Sequence, residues 1–229
     1  MFGRDRFVVD IKASRMTVRP RSYDLYVLGE VFGEEVYAPQ HSLPANPEVV
    51  VDLGANIGAF TVWAAEVWKP KTIVAVEMEA DNFSVLQENV RLNSLHAKVK
   101  ILEAAVWDED RQVGIKRNSV NAGMHEASSS LEGGNVRAVT LEKLMSSHDL
   151  KKVDILKMDV EGAEDRIFNE TNEEILSRSV GYIVAEIHPT RGVQTNRILE
   201  YLRKLDFDAE IFFQPWRRTV LLNAVNTRM

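Results

Sequence analysis

From Val49 onward the chain switches repeatedly between short apolar runs and longer stretches of helical periodicity, and that alternation limits the fold more than any other feature. Val49-Val50-Val51 is a continuous apolar run of the kind that forms a strand buried on both faces. A helical pattern from Gly58 to Trp68 follows, then a strand from Thr72 to Glu77, a helix from Asp81 to Asn93 and a strand from Val99 to Ala105. The rhythm resumes with a short helix at Leu141 to Ser146, a strand from Val153 to Met158, a helix from Ala163 to Ser177 and a strand from Val180 to Ile187. Parallel strands need a crossover on a sheet face, and helices at this spacing supply it. The pattern predicts βαβ units with right-handed crossovers in a doubly wound α/β sheet. A helix from Val193 to Leu205 then leads into a terminal antiparallel hairpin, Ala209 to Phe213 with Arg218 to Asn223.

Two regions break the rhythm. Val113, Ile115 and Val136 to Val139 predict an inserted antiparallel pair around a polar loop, 118–135, which is a candidate lid. Ahead of Val49, the apolar spacing from Tyr23 to Tyr37 predicts a front helix with Ser22 as N-cap, and Pro39, Pro44 and Pro47 mark an extended lead-in. Residues 1–48 are therefore expected to form a cap and lead-in to the domain 49–229, within a single unit, since 229 residues can bury a full core.

Composition removes several function classes. The balance of 28 basic against 34 acidic residues, a net charge of −6, argues against a broad phosphate-binding surface, although Lys151-Lys152, Arg203-Lys204 and Arg217-Arg218 could gather locally. The absence of cysteine excludes a disulfide framework, a cysteine-ligated metal and a thiol nucleophile. No apolar run approaches the roughly 20 residues that span a bilayer, and the opening residues carry no secretory-signal pattern. A cytoplasmic protein without a membrane partner is expected.

The candidate site begins at Asp52-Leu-Gly-Ala-Asn-Ile-Gly58, where a buried strand ends in an acid and turns through Gly54 and Gly58 into a helix. Glycine permits unusual torsions and close approach to a ligand, and the free amides of a helix start favour polar groups. Glu77 ends the next strand, close to the offset at which a carboxylate binds a ribose diol. A dinucleotide would want three glycines around its pyrophosphate, yet Asn56 stands where the second belongs. Asp52 would repel phosphate but could hold an ammonium. The turn thus suits a nucleoside cofactor lacking a pyrophosphate, such as S-adenosylmethionine.

Val50-Val-Asp-Leu-Gly-Ala-Asn-Ile-Gly-Ala-Phe60, Glu77-Met-Glu-Ala-Asp-Asn82, Leu86-Gln-Glu-Asn-Val-Arg-Leu-Asn93, Val139-Thr-Leu-Glu-Lys-Leu144 and Ile155-Leu-Lys-Met-Asp-Val-Glu-Gly-Ala-Glu164 together resemble the FkbM family of class I methyltransferases. The resemblance implies a Rossmann-like α/β fold: a mostly parallel seven-stranded sheet with helices on both faces and a C-terminal antiparallel hairpin. It implies S-adenosylmethionine as cofactor, with Asp52, Gly54, Ala55, Asn56 and Gly58 around the methionine part, Glu77 on the ribose, Met78, Glu103 and Ala104 along the adenine, and Asp159 near the methyl group. It also implies methyl transfer to oxygen of a small molecule or glycan.

Beyond the resemblance, Asp159 and Glu161 follow the strand 153–158, and ligands of open α/β sheets bind beyond such strand ends. Glu186 and His188 lie on one side of the next strand's pleat, where a neutral His188 could take a proton from an acceptor hydroxyl. Asp159, Glu161 and His188 are the catalytic candidates. Asp159, Glu161, Glu186 and His188 could also ligate a metal, but no His-x-x-x-His or EF-hand spacing occurs, so none is assigned. Two alternatives stay open: an RNA methyltransferase of tRNA type, and a binding module that keeps the cofactor pocket without turnover.

Overall fold

The computed structural model describes residues 6–39, 46–116, 126–128, 135–214 and 219–229. Most of the expected lid loop 118–135, and Trp216, Arg217 and Arg218, lie outside the described residues.

In chain order the elements are β1 (Phe7–Ile11), β2 (Ser14–Val18), α1 (Asp24–Leu28), β3 (Val49–Leu53), α2 (Ala59–Val67), β4 (Thr72–Glu77), α3 (Ala80–Leu92), β5 (Val99–Glu103), β6 (Ala105–Val106), β7 (Gln112–Lys116), β8 (Glu126–Ser128) and β9 (Val136–Val139). There follow α4 (Leu141–Ser147), β10 (Val153–Met158), α5 (Glu164–Ile167), α6 (Glu173–Ser179), β11 (Val180–Ile187), α7 (Thr195–Lys204), β12 (Phe207–Gln214) and β13 (Thr219–Asn226).

Seven strands form the central sheet in the order β12-β13-β11-β10-β3-β4-β5. The five from β11 to β5 are parallel, and β13 turns the edge antiparallel. Alternate residues of each strand enter different cores. Val50 and Ile155 pack with α2, α3 and the N-terminal elements, whereas Val51 and Leu156 pack with α4, α6 and α7. A sheet covered on both faces needs apolar residues on both, which is why β3, β4 and β10 read as continuous apolar runs. The order reverses between β3 and β10, and the crevice above such a reversal is where ligands bind.

The N-terminal lead-in contains an antiparallel hairpin, β1 with β2, that the sequence reading did not resolve. Its second strand is fastened to α3 by two asparagines one helical turn apart. Asn93 accepts from Arg15 N at 2.9 Å and donates to Arg15 O at 2.7 Å. Asn89 accepts from Thr17 N at 2.6 Å and donates to Ile57 O at 2.8 Å. The carboxamides present the donor and acceptor that a neighbouring strand would, and Asn89 also ties down the glycine turn.

Three expected elements differ. The front helix over 23–37 is α1 continued by a π-helical turn, Gly29–Gly33, with Tyr23 rather than Ser22 at its N-cap; two glycines in that turn weaken a regular helix. The helix over 163–177 breaks at Phe168, where ψ is 70°; Asn169 then accepts from Thr171 N at 2.8 Å and caps a 3-10 turn ahead of α6. The strand 99–105 divides at Ala104 because β6 leaves the main sheet to pair with β9. The inserted antiparallel pair is present as β7 and β9, widened by β6 and β8 into a four-stranded sheet.

Candidate active site

The turn after β3 holds three residues in the left-handed region, Gly54 (φ +75°), Asn56 (φ +52°) and Gly58 (φ +83°). A Cβ on Gly54 would lie 1.8 Å from the carbonyl oxygen of Asp159, so only glycine lets β3 and β10 close side by side here. A Cβ on Gly58 would meet Leu86 Cδ1 at 2.6 Å, a movable side chain. The two glycines serve different contacts: one closes the sheet, and the other seats α3 on the turn.

Beneath the turn, Asp52 and Lys157 form an ion pair at 3.0 Å, with side chains 0% and 4% exposed. Thr61 Oγ1 donates to the other Asp52 oxygen at 2.6 Å, and Lys157 Nζ donates to Gly54 O at 2.8 Å. Burial pulls the Lys157 ammonium down, but the charges of Asp52 and Asp159 outweigh it and raise its pKa. Asp52 therefore does not open toward a ligand ammonium as expected. It is fully buried and engaged by Lys157, a residue the sequence reading quoted without assigning it a role.

Above the turn lies an open cleft of about 540 Å³, solvent mouth included. Gly54, Asn56, Glu77, Met78, Ala104, Asp159 and Glu161, all expected, line it together with Val76, Asn82, Ala105, Val106, Val160 and Ala163, which sequence reasoning missed. Apart from the polar Asn82 on α3, the missed residues are small or apolar and lie within two positions of expected ones, so type alone gave no chemical signal. Asp52, Ala55, Gly58, Glu103 and the catalytic candidate His188 are not in the lining. Glu103 is exposed at the outer end of β5, and the residue after it turns into the cleft.

Glu77 receives Asn56 N at 2.7 Å and Glu79 N at 2.8 Å, one on each oxygen. Burial raises its pKa against those two amides, to about 7. A carboxylate offers about four lone-pair sites, so two remain for the hydroxyls of a ribose. Met78, Ala104, Ala105 and Val106 supply an apolar slot beside it. The residues fit S-adenosylmethionine, with a diol acceptor and an apolar slot on this side; across the cleft stand two further carboxylates, Asp159 and Glu161.

That far side is built by β10 and β11. Tyr37, buried among the N-terminal elements, places its hydroxyl 3.0 Å from Asp159 Oδ2 and 3.2 Å from Glu186 Oε2. Burial and then the charge of Asp159 push the phenol well above its ordinary pKa, so it stays a donor. His188 Nδ1 lies 2.6 Å from Glu164 Oε1, while its Nε2 is 3.3 Å from Glu161 Oε2 and 3.8 Å from Asp159 Oδ1. Burial lowers the pKa of His188, but the Glu164 hydrogen bond and the charges of Asp159, Glu164 and Glu161 more than reverse this, to about 10. The surrounding carboxylates thus favour the protonated ring over the neutral base expected of His188. Burial and the charge of Asp159 raise Glu161, with His188 and Arg191 opposing. Glu164 is buried against His188 rather than facing the cleft.

The family model described as the methyltransferase FkbM domain matches residues 52–209. The chain belongs to the FkbM methyltransferase family. Its cofactor is S-adenosylmethionine. Among curated relatives, the methyltransferase sdnD of Sordaria araneosa is 25% identical over 181 residues, covering 65% of this chain and 69% of that one. A tRNA(Phe) (4-demethylwyosine(37)-C(7)) aminocarboxypropyltransferase of Methanocaldococcus jannaschii is 44% identical over 55 residues, 24% of this chain and 22% of that one. Among solved structures, the methyltransferase FkbM from Methylobacillus flagellatus KT superposes with a TM-score of 0.57 at 16% identity, covering 87% of this chain. This chain spans 53% of that protein's length, so the likeness shows a shared fold. Among the described residues no helix is long and apolar enough to cross a membrane.

Proposed function

We propose that the protein transfers the methyl group of S-adenosylmethionine to a hydroxyl oxygen of a small molecule or glycan. The observation that carries this reading is Asp159 Oδ1, buried at the cleft without a hydrogen-bond partner, beside Glu161 Oε2, which Arg191 Nη2 meets at 2.9 Å. Buried acceptors are rarely left unsatisfied, and a hydroxyl is the donor that would satisfy them. S-adenosylmethionine supplies a methyl group on a sulfonium, whose departing thioether needs no acid. Attack by the acceptor oxygen forms the carbon–oxygen bond as the carbon–sulfur bond breaks, and the hydroxyl proton leaves toward the carboxylates. The chain's part is to hold the ribose on Glu77, exclude water with Met78 and Ala104, and aim the acceptor from Asp159 and Glu161. Alignment of this kind supplies much of the rate in a displacement reaction.

Two further observations support a small acceptor over RNA. Lys151-Lys152 precedes β10 and Arg203-Lys204 precedes β12, so both basic pairs lie at the amino-terminal edge of the parallel strands, opposite the cleft. Lys152 is also paired with Asp154 at 3.0 Å. The likeness to the tRNA enzyme covers only 22% of that protein.

The test supplies methyl-labelled S-adenosylmethionine with a panel of hydroxyl-bearing small molecules and glycans, and separately with tRNA. Label in the small-molecule fraction, lost in Asp159→Asn, is the expected result. Label in tRNA, with steep salt dependence of binding, would overturn the reading.

A further inference from the structure

Asp159, Glu161 and His188 each offer one potential ligand atom beside the cleft, and the three atoms lie within 4.8 Å of one another. The geometry points to a divalent-cation site of the Mg²⁺ or Mn²⁺ class formed by these three residues. It deepens the methyl-transfer reading, since a cation here would hold the acceptor oxygen between the carboxylates and the cofactor pocket.

The cluster differs from a chance gathering of acids in how each ligand is held. Glu164, fully buried, takes Nδ1 of His188 at 2.6 Å and is itself fixed by Gly162 N at 3.2 Å. A carboxylate on Nδ1 sets the tautomer that leaves Nε2 to coordinate, the usual outer support of a metal-ligating histidine. Nε2 makes no hydrogen bond, although the side chain is only 6% exposed. Tyr37 holds Oδ2 of Asp159 and leaves Oδ1 facing the centre, buried and without a hydrogen bond. Oε2 of Glu161 is likewise buried without a well-directed donor.

Distances suit the ion. Octahedral coordination at 2.0–2.1 Å sets neighbouring ligands about 3 Å apart and opposite ones about 4.2 Å apart. Nε2 stands 3.3 Å from Glu161 Oε2 and 3.8 Å from Asp159 Oδ1, so sub-ångström side-chain movements bring all three into one shell. Two carboxylates with one imidazole favour Mn²⁺ or Mg²⁺ over soft metals, and three protein ligands leave positions open for water and acceptor oxygens. Arg191 Nη2 is 2.9 Å from Glu161 Oε2 and is the competing cation. A carboxylate oxygen has two lone pairs, so the guanidinium and the ion can share it. An acceptor with two adjacent oxygens, a vicinal diol or a hydroxy acid, is the class such a site would chelate. Glu186, considered with these residues in the sequence, is instead drawn to Tyr37.

The test is Mn²⁺ binding to the intact protein without cofactor or acceptor, followed by calorimetry and electron paramagnetic resonance. One saturable site per chain is expected, with hyperfine coupling to an imidazole nitrogen in the wild-type spectrum. Affinity should fall at least tenfold in Asp159→Asn and in His188→Gln, and roughly 10–100-fold in Glu164→Gln, which removes only the outer support. The exposed Glu174→Gln on α6 should bind as wild type. No saturable binding at millimolar Mn²⁺, or bound Mn²⁺ without nitrogen coupling, overturns the site whether or not the variants fold. Because no methyl donor is present, either result is independent of the methyl-transfer reading.

Discussion

The two halves of the cleft are made differently. On the side of β3, β4 and β5, the turn at Gly54 and Asn56 is set by backbone torsions, and Glu77 is locked by two main-chain amides. On the side of β10 and β11, Asp159, Glu161 and His188 project charged side chains toward one another; Asp159 Oδ1 has no hydrogen bond, and Glu161 Oε2 is paired with Arg191. The first half is held by backbone geometry, and the second by charged side chains facing one another. A cofactor common to many reactions can be met by backbone geometry, whereas the acceptor's chemistry must be carried by side chains. Lys157 joins the halves, since it pairs with Asp52 below the turn and lies within the field of Asp159 and Glu186.

The largest effect should come from that joint. Lys157→Met leaves Asp52 charged in a dry site, and removing one partner of a buried pair costs about 3–5 kcal/mol. Chemical denaturation should show this loss, and both halves should fail together. A variant as stable as the wild type would mean that the pair does not hold the turn to β10.

Gly54→Ala should break the cofactor half. A left-handed torsion costs an alanine about 1–2 kcal/mol, and the overlap with Asp159 O adds to it because main chain cannot rotate away. Loss of S-adenosylmethionine binding is expected by calorimetry, whereas Gly58→Ala, opposed by a movable leucine, should retain more affinity. Equal behaviour of the two would remove the distinction drawn between the glycines.

Asp159→Asn should break the acceptor half alone. Turnover should drop roughly 10²-fold or more, with cofactor affinity kept at least in part; a parallel loss of both would make Asp159 a cofactor residue first.

The smallest effect is a pH dependence in Glu77. Its folded pKa is raised to about 7 by burial against an ordinary 4.5, so the folded chain holds the extra proton between those values. The sign follows from proton binding: this group's contribution to stability falls as pH rises through that window. The ionised carboxylate is the form that accepts a diol, so affinity for S-adenosylhomocysteine should increase between pH 6 and 8. Glu77→Gln should flatten the rise, and a slope unchanged by it would assign the titration elsewhere.

The parallel core and the cofactor half were legible in the sequence because both rest on local signals. Continuous apolar runs betray doubly covered strands, and Gly54, Asn56 and Glu77 are tied to strand ends that can be counted. The β1–β2 hairpin was missed because its partner, the asparagine pair on α3, lies about 75 residues away and reads there as an ordinary polar helix face. The sequence reading runs the helix over 163–177 unbroken because nothing at Phe168 announces the turn; the Asn169 side chain that caps the next turn reads in the sequence as an ordinary polar helix position. In the site, residue types located Asp159, Glu161 and His188 but not their states. The charge on His188 depends on Glu164 and Asp159 standing beside it, and the burial of Asp52 depends on Lys157, 105 positions on in the chain, which pairs with it.

Calorimetry of the full chain against S-adenosylmethionine, S-adenosylhomocysteine and NAD tests the central claim most directly. The account predicts one site per chain for both sulfur ligands, lost in Gly54→Ala, and no binding of NAD; binding of NAD with neither sulfur ligand bound would contradict it.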